Sequence, residues 1–195
     1  MTLLNLLTIS VGGVLAQNLV FTHLLGTPAF LRDTKDIKVA LKHGIAVGCF
    51  IPFFSILAYI FDRLVFTPLS LGYMRTFLFA ILLCGGMKIC EAMLKTRFPA
   101  LYERFGISFD EVCFSSVFLG AMLICVSSGY SFFGAFFFGV FSGAGYILAS
   151  VVFAAVRENL EYTACPKWLE GTPVLFITLG LIALAFMGFS GIKFI

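Results

Sequence analysis

Six long apolar runs, near residues 3–26, 39–61, 71–94, 105–127, 131–156 and 172–194, set the terms on which this chain can fold. Crossing the hydrocarbon core of a bilayer takes about 20 mostly apolar residues, and each run supplies that length. Inside lipid every backbone N–H and C=O must be bonded within protein, so only helices or closed barrels span. The runs are too long and too continuous for barrel strands of about ten residues, and they predict helices. Composition agrees: the chain is 61% hydrophobic and 12% charged, with a mean hydropathy of +1.06. Soluble domains run at about 45–50% apolar and about 25% charged. Too little polar surface is left for a water-facing globule, and no basic stripe suits a nucleic acid. Residues 1–195 are therefore expected to form a single all-α polytopic membrane domain in contact with lipid.

The breaks between runs are short. Arg32-Asp33-Thr34-Lys35-Asp36 separates the first pair, Thr67-Pro68 the second and third, and Pro166-Lys167 lies in the fifth connection. No Lys or Arg precedes Arg32, so the first run lacks the basic start of a cleaved signal peptide and is expected to stay. Cytoplasmic loops carry an excess of Lys and Arg. Arg32, Lys35, Lys38, Lys42, Lys88, Lys95, Arg97, Arg104, Arg157 and Lys167 group at odd-numbered connections, against Arg63, Arg75 and Lys193 on the other side. Both termini are expected outside a cell membrane.

The chain carries a faint internal echo. Gly44-Ile45-Ala46-Val47-Gly48 matches Gly139-Val140-Phe141-Ser142-Gly143 at an offset of 95, which also pairs Ser55 with Ser150 and Asp62-Arg63 with Arg157-Glu158. Asn18-Leu19-Val20-Phe21 sets against Ser115-Ser116-Val117-Phe118 at an offset of 97. Three spans per half is an odd number, so halves of about 1–100 and 101–195 would enter the membrane in opposite directions. Inverted repeats of this kind recur in transporters, with the working site at the midplane between the halves. G-x-x-x-G is also ordinary helix-packing grammar, and that reading stays open.

The first and fourth runs are poor continuous helices. The first contains Gly12-Gly13, Gln17-Asn18, His23 and Gly26-Thr27-Pro28; the fourth carries Asp110-Glu111 and Ser115-Ser116 between Gly106 and Gly120. Polar groups at membrane depth face a cavity or a protein interface, and proline ends or kinks a helix. Both runs are expected to be broken or half-length. Asn18, His23, Gly26, Ser115 and Ser116 are thereby candidate midplane or pathway residues.

No nucleophile elbow, phosphate loop or H-E-x-x-H motif is present, so the chain is not expected to be catalytic alone. Lys88 and Glu91 are three apart and can pair on one helix face. Glu91 is either that structural partner or a proton or cation ligand. His43, beside Lys42, is expected at a helix entrance. Arg157-Glu158 is expected to close the fifth helix, where a basic residue suits the dipole. Cys49, Cys84, Cys90, Cys113, Cys125 and Cys165 form no C-x-x-C pair, and five of them sit in apolar runs as small hydrophobes.

Phe153-Ala154-Ala155-Val156-Arg157-Glu158-Asn159-Leu160, Gly171, and the stretch from Ile177 to Gly191 together resemble the RnfA/RsxA and NqrE family. The likeness continues through Pro68-Leu69, Leu71-Gly72-Tyr73-Met74-Arg75-Thr76, Glu91, Pro99-Ala100-Leu101-Tyr102 and Phe105-Gly106-Ile107. Asn18-Leu19-Val20 and Leu25-Gly26 fit its first helix. With the echo above, six transmembrane helices as two inverted three-helix repeats are expected; the resemblance implies a six-span subunit of a complex that couples electron transfer to Na⁺ or H⁺ movement. It also implies an oppositely oriented RnfE-like partner, further complex subunits, and a bacterial or archaeal inner membrane.

One departure stands out. The family places a cluster-ligating cysteine two residues after that Leu-Gly, where this chain has Pro28, and another where it has Ser116. Proline cannot ligate iron, and serine replaces poorly the thiolate that iron–sulfur clusters use. Cys113, about one helical turn from Ser116, is the substitute ligand within reach. No cofactor is expected on this chain, the alternative being an iron–sulfur cluster shared with the partner. A small-solute transporter or substrate-binding membrane component is the competing function.

Overall fold

In a computed structural model of the chain, the described residues are 14, 18–27, 31, 36–66, 74–97, 115–161, 166 and 169–190. Among them the chain forms five α-helices and no strand. They are α1 (Ile37–Phe61), α2 (Arg75–Arg97), α3 (Ser116–Ser127), α4 (Phe132–Glu161) and α5 (Thr172–Ser190). A π-helical turn, Asp62–Phe66, extends α1. Three of these segments, Ile37–Val65, Arg75–Arg97 and Phe132–Leu160, are long and apolar enough to cross a membrane, while α3 and α5 are shorter apolar helices. Their outward faces are apolar too: Phe77, Ile81 and Ile89 on α2 and Leu181, Leu184 and Met187 on α5 are exposed. Such faces suit lipid and would be costly in water.

The helix boundaries differ from the sequence runs in instructive ways. Within the first run, residues 18–26 are a chain of turns rather than helix. The fourth run is helical from Ser116, giving 12 residues; its earlier part, with Asp110, Glu111 and Cys113, lies outside the described residues. The fifth helix does not close at Arg157-Glu158 but runs on to Glu161. Arg157 instead donates from Nη1 to the Leu31 carbonyl, tying the chain beyond the turn segment to the end of α4.

The organising contact is the crossing of α1 and α4. A Cβ added at Gly143 would lie 2.4 Å from the Gly48 carbonyl oxygen, and one added at Gly48 would lie 3.0 Å from the Gly143 oxygen. Backbone therefore meets backbone. Pro52 sits inside α1 and lacks the N–H that would bond the Gly48 carbonyl four residues earlier. The Gly143 Cα packs over that freed oxygen, in the manner of Cα–H···O contacts at close helix crossings.

The flanking contacts are reciprocal. A Cβ at Gly44 would meet the Ser150 hydroxyl at 3.3 Å, and one at Gly139 would meet the Ser55 hydroxyl at 3.1 Å. As numbers rise along α1 the facing numbers fall along α4, so the two helices run antiparallel. Ser55 and Ser142 carry buried hydroxyls without a hydrogen-bond partner among the described residues, whereas the Ser150 hydroxyl donates back to the Tyr146 carbonyl at 2.8 Å.

The core gathers around this crossing. Phe54, Ile51 and Val47 of α1, Phe79 and Met87 of α2, Phe118 and Met122 of α3, and Tyr146 and Phe153 of α4 are buried together. Phe54 and Phe118 rings stand 5.4 Å apart. Leu19, Val20 and Phe21 from the turn segment enter the same core, where Phe21 meets Phe186 of α5 at 4.5 Å between ring centroids.

Candidate functional site

The turn segment 18–26 is built around Asn18, which is fully buried. Its Nδ2 donates to the carbonyls of Val14 and Gly145, both at 3.0 Å. Its Oδ1 accepts the backbone N–H groups of Val20 at 3.0 Å and Phe21 at 3.3 Å. Two donors and two acceptor sites are the whole capacity of an asparagine side chain, so Asn18 is saturated. It supplies backbone groups with bonds that a helix would otherwise provide, and that is how non-helical chain survives in an apolar core. Gly145 lies on α4, so this side chain also fastens the turn to the helix that crosses α1.

The turn closes through Thr22 N–H to the Asn18 carbonyl at 2.9 Å and Leu25 N–H to the Leu19 carbonyl at 3.0 Å. Two left-handed residues make the reversal, Leu24 at φ +52° and Gly26 at φ +74°. For a leucine that conformation costs about 1–2 kcal/mol, a strain the surrounding bonds must hold. The Gly26 N–H donates to the Ser116 hydroxyl at 2.8 Å. A Cβ on Gly26 would lie 2.3 Å from Val117 Cγ2, and one on Gly120 would lie 2.2 Å from Leu25 Cδ1. Only glycine at both points lets the turn seat against the first turns of α3.

Three of the sequence candidates thus meet in one place, Gly26, Ser115 and Ser116, and Asn18 begins the same turn and fastens it to α4. Ser115 is the buried N-cap residue of α3, without a side-chain cap bond, and Ser116 beside it is exposed. His23 lies on the same turn with its ring exposed. Pro28 and Cys113 lie outside the described residues.

Glu91 belongs to a different place, near the end of α2. Its carboxylate pairs with Lys88 at 3.3 Å, as the spacing predicted, and with Lys95 at 2.7 Å. Lys95 was also legible, four residues on in the arrangement that favours a Glu–Lys pair. The Gly145 carbonyl had no signal to find, because any residue carries one. His43 is half-buried on α1, its ring 6.5 Å from that of Tyr146.

The donor set at the turn does not fit an iron–sulfur cluster. The Ser116 oxygen, which accepts the Gly26 N–H, is a neutral hydroxyl, and clusters are held by thiolates. Of the described cysteines, Cys49 is on α1, Cys84 and Cys90 are on α2, and buried Cys125 is near the far end of α3. Among the described residues no group of three or more His, Cys, Asp or Glu side chains is placed to hold a metal ion.

Apolar spanning helices, a glycine-lined crossing and a hydrogen-bonded break in the first run define a polytopic helical membrane protein. Comparison with known proteins narrows that class. The family model described as "Rnf-Nqr subunit, membrane protein" matches residues 6–193, and the chain belongs to that family. The A subunit of the Na⁺-translocating ferredoxin:NAD⁺ oxidoreductase complex of Acetobacterium woodii is 35% identical over 97% of this chain and 99% of its own length. That of the ion-translocating oxidoreductase complex of Syntrophotalea carbinolica is 35% identical over 96% of this chain and 97% of its own. That of the proton-translocating ferredoxin:NAD⁺ oxidoreductase complex of Clostridium ljungdahlii is 32% identical over 95% and 96%.

Proposed function

We propose that this chain is an integral membrane subunit of an ion-translocating electron-transport complex, one that assists coupling of electron transfer to Na⁺ or H⁺ movement without ligating a cluster itself. The observation that carries the reading is the end-to-end likeness to the corresponding subunits of such complexes, combined with the hydrogen-bonded turn where two elements meet. Both Na⁺- and proton-translocating relatives are similar to it, so the likeness selects neither ion.

The α1–α4 crossing supports two inverted three-helix repeats. Gly44 faces Ser150 and Gly139 faces Ser55, while Gly48 faces Gly143. Under the offset of 95 these contacts map onto one another, which is the signature of a two-fold axis. Equivalent helices running antiparallel place that axis in the membrane plane. A 12-residue α3 is about 18 Å long, which carries Ser116 from one membrane face to about mid-depth. Non-helical backbone at that depth has to be covered by protein or line a water-filled cavity. Exposed His23, Leu24 and Ser116 then form the surface that an oppositely oriented homologous subunit of the RnfE kind covers. The charge map supports termini outside a prokaryotic inner membrane, and Asn18, Gly26, Ser115 and Ser116 are the proposed midplane elements.

The test is ion uptake into inverted membrane vesicles energised with the complex's electron donor. Deletion of this chain should abolish redox-driven uptake, and re-expression should restore it. Uptake unaffected by the deletion would remove the chain from the coupling machinery.

A further inference from the structure

We infer that Ser116 is a positioning residue whose hydroxyl clasps the turn segment to α3 in place of a metal ligand, so that this half of the site is held together independently of redox state. The inference rests on the subunit reading above and deepens it. Where the family resemblance implies an iron ligand, this chain spends the same position on a bond within itself.

Three features carry the clasp. Gly26 is buried, and its N–H donates to the hydroxyl of exposed Ser116 at 2.8 Å in a partly buried bond; an N–H left without a partner in such a place is costly. The turn is seated directly on α3, because Gly26 against Val117 and Gly120 against Leu25 leave no room even for a methyl group. Its other end is pinned to α4 by Asn18 through the Gly145 carbonyl. For Ser116 to ligate a cluster it would have to offer a neutral oxygen where the cluster requires a thiolate.

The clasp is tested by amide hydrogen exchange on the purified complex, following peptides that cover residues 18–27. Samples are poised with ferricyanide or with dithionite, and the iron content of each is measured. Ser116→Ala should speed exchange at Gly26 about two- to tenfold, the worth of one partly buried hydrogen bond. Ser116→Thr keeps the hydroxyl and should restore slow exchange; Ser116→Cys, a poorer acceptor, should not. The wild-type turn should exchange equally under both poises, and Ser116→Ala should leave the iron content unchanged. Exchange unaffected by Ser116→Ala, a wild-type turn that changes with poise, or iron lost on that substitution would each overturn the inference. Failure of the subunit reading is separately visible as a chain recovered without companion subunits, which leaves the exchange measurement interpretable.

Discussion

Gly143→Ala probes the crossing on which the arrangement of α1 and α4 depends. The new methyl would sit 2.4 Å from the Gly48 carbonyl oxygen, 3.2 Å from its carbonyl carbon and 3.3 Å from its Cα. All three are backbone atoms, so no rotamer change relieves the contact. A comfortable carbon–oxygen separation is about 3.3 Å or more, so the helices must part by about 1 Å. A gap of that size forfeits about a quarter to a half of the dispersion attraction across the contact. Overpacking of this kind costs about 1–3 kcal/mol, against which alanine returns about 1 kcal/mol of helix propensity. The net loss is up to about 2 kcal/mol, or up to about 8 °C in Tm for a chain of this size, and the deficit against an unhindered glycine-to-alanine change is the full amount of about 1–3 kcal/mol. Thermal unfolding in detergent, followed by static light scattering or intrinsic fluorescence, reads it directly. Gly180→Ala and Gly188→Ala on α5 are the controls, since a Cβ at either meets nothing within 4 Å. They should hold or raise Tm. Gly143→Ala tolerated as well as these controls would refute the close crossing.

Other positions make equally definite predictions. Asn18→Ala removes four hydrogen bonds at a buried site and should cost at least about 2–4 kcal/mol, seen as a Tm fall larger than that of Gly143→Ala. Asn18→Asp keeps the two acceptor bonds but places a charge beside the Val14 and Gly145 carbonyls, so it should be no milder. Glu91→Gln should shift Tm by no more than about 4 °C, because both lysine partners, at 58% and 50% side-chain exposure, retain solvent and such pairs contribute about 1 kcal/mol or less. In a background without native cysteines, Ser128→Cys in the α3–α4 turn should react with an impermeant maleimide added outside intact cells. Glu170→Cys, ahead of α5, should react only after permeabilisation.

The sequence was most readable where length and composition decide structure. Each of the spanning helices α1, α2 and α4 sits over a predicted apolar run, because an uninterrupted apolar stretch of that length has few other solutions in lipid. The glycine echo was readable for a related reason: small residues at fixed spacing are what allow two backbones to approach. The break in the first run was also visible, since Asn18, Gly26 and Pro28 interrupt it in succession. What holds that break together was not visible. Asn18 is answered by the carbonyl of Gly145, 127 residues away, and a carbonyl leaves no mark in the sequence. Arg157 likewise looked like a helix end, yet its guanidinium reaches the Leu31 carbonyl while α4 continues past it. Position in the chain suggested a cap; tertiary contact assigned a clamp.

We propose that this chain is a membrane subunit that works beside a homologous, oppositely oriented partner and contributes no cluster ligand of its own. The most direct measurement is quantitative mass spectrometry, with iron determination, on the complex isolated through an affinity tag on this chain. The account predicts recovery of a second membrane subunit of the same family at one copy per copy of this chain, together with further subunits of the complex. It also predicts an iron content unchanged when Ser116 is replaced by alanine. A chain that purifies alone, or iron that disappears with that substitution, would contradict it.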